Sequence, residues 1–87
     1  MTDKISKQTT TERKFADQPG TKAVYEFICE YMNENNYAPT QREISEGCFL
    51  SRGTIVRYLD RLEAWGLLTR EINKARSIAL VEDNHRL

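Results

Sequence analysis

The chain predicts a mainly α fold, three helices closed by a small two-stranded antiparallel β-hairpin, and three observations carry that prediction. Apolar residues recur at helical spacing in two long stretches. Capping signals mark a short helix between those stretches. The segment after Gly66 then changes to alternating residues broken by a turn. At 87 residues with 39% hydrophobic content there is room for one small domain with a modest core, not for a deep catalytic cleft.

Residues 51–66 (SRGTIVRYLDRLEAWG) form the stretch the rest is organised around. Ile55, Leu59 and Leu62 fall at i, i+4 and i+7, flanked by Tyr58 and Trp65, so this stripe must face a core. Gly53, Val56, Arg57, Asp60 and Ala64 occupy the opposite side, with Thr54 and Arg61 on one edge and Arg52 near the other, a mixture that must face outward. Ser51 supplies an N-cap oxygen, and Gly66 stands where a helix ends in a left-handed residue. Sixteen residues rise about 24 Å, enough to lie along a nucleic-acid groove.

Residues 21–35 form the other long amphipathic helix, with Val24, Phe27, Ile28, Tyr31 and Met32 at i, i+3, i+4, i+7 and i+8. Its outer face carries Glu26, Glu30 and Glu34 at four-residue steps, a surface that should point away from any polyanion. A turn-forming loop, NENNYAP, follows, in which Pro39 keeps Ala38 out of the helical region. Thr40-Gln41-Arg42-Glu43 is a capping box opening a short helix to about Gly47 with Ile44 inward, and its amide-rich start is a candidate anion site. Cys48, Phe49 and Leu50 connect it to residues 51–66. Beyond Gly66, residues 67–71 and 77–81 read as strands, Ile78 and Leu80 sharing a face, around the basic turn INKAR. Two strands alone are marginal, so the hairpin must pack on the helices.

Residues 1–20 are expected to form a disordered N-terminal arm, in which Asp3, Glu12 and Asp17 dilute the lysines and arginine and Pro19-Gly20 breaks any continuing helix. A turn of helix near residues 11–16 is compatible with this composition. Residues 21–81 are the folded domain and residues 82–87 a C-terminal tail.

Net charge is zero, with 13 basic and 13 acidic residues, but the distribution is uneven. Residues 37–80 hold seven basic side chains (Arg42, Arg52, Arg57, Arg61, Arg70, Lys74, Arg76) against five acidic ones, so the faces these cations occupy decide the partner. Cys29 and Cys48 lie apart in predicted helices and are expected to be small buried apolar residues with reduced thiols. No apolar run suits a signal peptide or a membrane span, and with a single histidine, His85, no zinc ligand set can be assembled. A cytoplasmic protein without metal or cofactor is expected, nucleoid-associated if it binds DNA, with no evident small-molecule ligand. With no nucleophile-base pairing and no phosphate-cradling glycine loop, an enzyme is the weakest reading.

The residues APTQREISEGCFLSRGTIVRYLDRLEAWGLLTR, followed by a basic hairpin, resemble the winged helix-turn-helix DNA-binding domain of the LexA repressor family. The resemblance runs ungapped over residues 21–80 and includes Pro39-Thr40, Glu43-Ile44, the serine before the third helix, and Gly66-Leu67-Leu68. It departs in two places. Units of this kind usually place glycine in the turn where Phe49 stands, which implies a steric penalty or a rearranged turn with Gly47 absorbing the bend. LexA also continues into a self-cleaving Ser-Lys peptidase domain, which this chain is too short to hold, so neither self-cleavage nor that domain's dimer contacts carry over.

The resemblance implies a recognition helix entering the major groove of double-stranded DNA by its N-terminal half, with the wing over a neighbouring backbone. Arg57 is then placed to grip a guanine, Val56 to meet a thymine methyl, and Gly53 to allow close approach, with Ser51, Arg52 and Thr54 beside them. Thr40, Gln41, Arg42, Arg61, Lys74 and Arg76 would hold phosphates and set register. Bland alternatives exist: Arg57 paired with Asp60 at i+3, and Lys74 and Arg76 as solvated turn residues. Two functions therefore compete. One is a transcriptional regulator, a repressor binding a palindromic operator as a homodimer; the other is a protein-interaction module or the DNA-binding component of a replication or mobile-element complex.

Overall fold

A computed structural model describes residues 14–81. Within these residues a helical segment at 14–16 is followed by three longer helices, α1 (Pro19–Asn35), α2 (Gln41–Cys48) and α3 (Arg52–Ala64), and then by an antiparallel pair, β1 (Leu68–Thr69) and β2 (Ala79–Leu80). Leu68 pairs with Leu80 and Thr69 with Ala79, which gives the helices and hairpin that the residue pattern predicts, in the winged helix-turn-helix arrangement that the resemblance implies.

The core forms where the three apolar faces meet under the hairpin. Val24 and Ile28 of α1, Ile44 of α2, and Ile55, Leu59 and Leu62 of α3 are fully buried, and Leu68 and Ile78 close the cluster from the wing. Fully burying one such side chain contributes about 1.5–3 kcal/mol, so these few residues supply most of the drive to fold. Ile78 and the half-buried Leu80 face the helices together, as the alternation requires.

Helix ends follow local chemistry. The Thr40–Glu43 box is complete: Thr40 Oγ1 accepts the Glu43 amide at 3.1 Å, and Glu43 Oε1 accepts the Thr40 amide at 2.9 Å. Ser51 caps α3 by accepting the Thr54 amide at 3.2 Å. After Ala64 the chain leaves through Gly66 at φ 80°, and the Leu67 amide returns to the Leu62 carbonyl at 3.0 Å.

Four expectations need correction. Pro19-Gly20 does stand where the helical residues 14–16 have ended, but it also opens the next helix two residues earlier than expected, because a proline in the first turn lacks an amide that would have had no intrahelical acceptor. The folded unit correspondingly starts before residue 21. Residues 14–16 are helical, the Phe15 ring lies 5.5 Å from Tyr25 and 5.7 Å from Trp65, and only the arm's residues 1–13 lie outside the described residues, as does the tail, 82–87.

The turn between α2 and α3 is not rearranged around Gly47. Phe49 itself takes the left-handed conformation, φ 59° and ψ 42°. Ser45 braces it twice, its carbonyl accepting the Leu50 amide at 3.1 Å while its hydroxyl donates to the Leu50 carbonyl. Gly47 serves packing instead, since a Cβ there would overlap the Phe27 ring of α1. Finally, the strands are shorter than residues 67–71 and 77–81. Past Thr69 the Ser77 hydroxyl, which accepts the Glu71 amide at 2.9 Å and donates to its carbonyl at 3.1 Å, replaces the backbone ladder, and Asn73 and Arg76 turn the chain at positive φ.

Candidate nucleic-acid interface

Three segments converge on one side of the molecule: the start of α2, the first turns of α3, and the wing. Between them lies an open cleft of about 720 Å³, walled by Pro39 to Arg42, by Arg52 and Val56, and by residues 70–78. Seven of the twelve expected contact residues (Thr40, Gln41, Arg42, Arg52, Val56, Lys74 and Arg76) line it together. Ser51, Gly53, Thr54, Arg57 and Arg61 do not.

At the start of α2 the capping box satisfies the amides of Thr40 and Glu43, which leaves those of Gln41 and Arg42 as first-turn donors without an intrahelical acceptor. The Arg42 side chain lies along the helix, its Nε 3.3 Å from Glu46, both ends exposed and the pair correspondingly weak. On α3, Arg52 and Arg57 are exposed and have no hydrogen-bond or ion-pair partner among the described residues. The expected alternative for Arg57 does not form, because Asp60 pairs with Arg70. Gly53 is open, with nothing within 4 Å of where a Cβ would stand. Ser51 is committed to the cap, its hydroxyl also donating to Thr54 Oγ1 at 3.0 Å. Val56 is half-buried at the cleft wall.

Two of the expected phosphate contacts are engaged elsewhere. Arg61 turns from the cleft toward α1, where Nη1 donates to Gln18 at 2.7 Å and to the buried Thr21 at 3.3 Å while its guanidinium lies 5.7 Å from the Tyr58 ring. It satisfies a buried hydroxyl and ties down the segment before α1. Arg76 donates to both Glu43 oxygens at 3.0 Å and to the Ala38 carbonyl at 2.8 Å, with its guanidinium 4.8 Å from the Tyr37 ring. Arg76, together with the Thr40 amide, holds the Glu43 carboxyl down at about 2, and Glu43 in turn raises the Arg76 guanidinium further above its ordinary value. Arg76 is thus a strut fastening the wing to the capping box. Of the wing cations, Lys74 remains at the surface, 3.7 Å from Glu71.

Residue-by-residue reading missed Glu43 as the wing's anchor, Tyr31 as a donor to it at 3.0 Å, and Arg70 with its partners Asp60 and Glu63. Only the capping-box signature at Glu43 hinted that this side chain was engaged. Glu26, Glu30 and Glu34 are exposed along α1, as expected. Both cysteines are free and half-buried, and burial raises both thiols. Among the described residues no helix is long and apolar enough to cross a membrane.

The resemblance drawn from the residues is matched by known proteins. The chain is 43% identical over 63 residues to a LexA repressor of Carboxydothermus hydrogenoformans, covering 71% of this chain and 31% of that protein. It is 36% identical over 67 residues to a LexA repressor of Koribacter versatilis, covering 76% and 32%, and 43% identical over 65 residues to LexA repressor 1 of Geobacter sulfurreducens, covering 72% and 32%. The chain therefore spans about a third of the length of these relatives. The model of the MarR family matches residues 30–76, more than half of the chain, from the end of α1 through the helix-turn-helix to Arg76 in the wing, and the chain belongs to this family.

Proposed function

We propose that the chain is a sequence-specific, double-stranded DNA-binding transcriptional regulator, a LexA-like repressor that reads the major groove with α3. The observation that carries this reading is the exposed face of α3, where Arg52 and Arg57 have no partner among the described residues beside the open Gly53. Cations left unpaired on a 13-residue helix about 20 Å long suit an anionic groove. Arg57 grips a guanine edge and Val56 meets a thymine methyl, with Arg52, Gly53 and Thr54 beside them. The free amides of Gln41 and Arg42, the Thr40 hydroxyl and Lys74 hold phosphates on either side. Arg61 and Arg76 act one step back, fixing the helices and the wing. Two protomers bind a palindromic operator, with half-sites one helical turn apart.

Selection of bound duplexes from a random pool tests this directly. Enrichment of a symmetric site is expected, with log affinity falling against log salt at a slope of about −3.6 for four phosphates neutralised by each protomer. One observation favours a protein-interaction role: Phe49, in the interhelical turn, is 91% exposed, as a side chain awaiting a protein surface would be. A module of that kind would enrich no duplex.

A further inference from the structure

The outward face of α3 does not stay basic along its length. Asp60 follows Val56 and Arg57 at i+4 and i+3, one turn further along the same face, and Glu63 is exposed beside it. Two carboxylates so close to a base-reading surface would repel a phosphate backbone. Arg70, the residue after β1, meets both. Its Nη2 pairs with Asp60 Oδ1, and its Nε lies 3.6 Å from Glu63 Oε1. Among the described residues neither carboxylate has another cation.

The setting of Arg70 is unlike that of an ordinary surface pair. Its side chain is 14% exposed, it forms part of the cleft wall, and its Nη1 is buried without a hydrogen-bond partner. A buried donor without an acceptor is destabilising, and an apolar side chain at the base of the wing would pack without that cost. Stability alone therefore gives no reason for a guanidinium here, whereas the charge on α3 does.

We infer that Arg70 is a positioning residue for nucleic-acid binding: it cancels Asp60 and Glu63 on the recognition face and clamps the base of the wing to α3. This rests on the DNA-binding reading of the same face. Arg70 touches no DNA itself, since its free nitrogen is buried. It acts by removing two negative charges from the path of the phosphates and by holding Lys74, four residues on, at the far side of the cleft.

The test measures affinity of the full chain for the duplex its wild-type form selects, at about 50 and 200 mM salt, with thermal melts in parallel. Arg70→Gln should weaken binding about tenfold or more at the lower salt, and the loss should shrink at the higher salt as the exposed carboxylates are screened. Arg70→Lys, which keeps the charge, should retain most of the affinity. The triple variant Arg70→Gln, Asp60→Asn, Glu63→Gln should recover the charge-dependent part of the loss, staying below wild type only by what the clamp contributes, and Asp60→Asn, Glu63→Gln alone should bind more tightly than Arg70→Gln. These two variants carry the test should Arg70→Gln not fold. Equal affinity of wild type and Arg70→Gln, a triple variant as weak as Arg70→Gln, or a loss independent of salt would each overturn the inference while leaving DNA binding intact. A wild-type chain that selects no duplex would remove both.

Discussion

The arginines of α3's open face and those of the wing are chemically identical, yet the fold uses them in opposite ways. Arg52 and Arg57 stand exposed with no carboxylate in reach among the described residues, whereas Arg70 and Arg76 are each held by carboxylates from a different element. Asp60 and Glu63 of α3 hold the wing at its base, and Glu43 of α2 holds it beyond its tip. What separates an unpaired arginine from a strut is therefore not the residue type but whether a carboxylate has been brought to it. The capping box illustrates the economy of this arrangement: Glu43 closes the start of α2 with one oxygen and fastens Arg76 with both. The wing is thereby tied to the helix start that lines the cleft.

Variants that strike beneath both regions should have the largest effect. Leu59→Ala, at a fully buried site under the recognition face, should cost about 2–5 kcal/mol in denaturant unfolding. A melt unchanged from wild type would refute the burial of that stripe. Next comes the strut. Glu43→Gln should lower the melting temperature by several degrees near neutral pH, whereas Arg52→Ala on the open face should leave it unchanged. The pH dependence follows from the sign of the shift. Glu43 is held below its ordinary 4.5, at about 2, so its contribution is fully present above 4.5 and is lost as pH falls toward 2. The gap in melting temperature between wild type and Glu43→Gln should therefore close over that range, and a gap that persists at pH 2 would show that the carboxylate charge is not what fastens the wing.

The smallest effect concerns the turn. Phe49→Gly should stabilise the fold by up to about 1 kcal/mol, because relief of the left-handed penalty is partly offset by glycine's greater freedom when unfolded. Destabilisation would mean that the exposed ring contributes contacts in the folded chain.

What could be read from the residues was what nearest neighbours decide. The Thr40–Glu43 box, the Ser51 cap, the Gly66 exit and the stripes of all three helices depend on spacings of eight residues or fewer, and each is where the pattern put it. What escaped was set by distant partners. Arg76 meets Glu43 from 33 residues away, and Arg61 meets Gln18 from 43. No local rule distinguishes either from a free surface cation. The start of the fold was misread because the local pattern reads Pro19 only as the end of a helix, whereas it also begins one, and the packing of Phe15 on Trp65 and Tyr25 joins the segment before it to the core. The turn was misread because the bracing of Phe49 by Ser45 comes from the side chain as well as the backbone, which a glycine-centred expectation leaves out.

The proposed division between reader and strut is tested most directly by measuring Arg57→Ala against wild type on the selected duplex and on a random duplex of the same length. A loss of about 1–3 kcal/mol on the selected duplex, with little change on the random one and an unchanged melt, is the predicted result. Equal losses on both duplexes would make Arg57 a phosphate contact, and no loss on either would contradict the assignment of α3's open face as the surface that reads DNA.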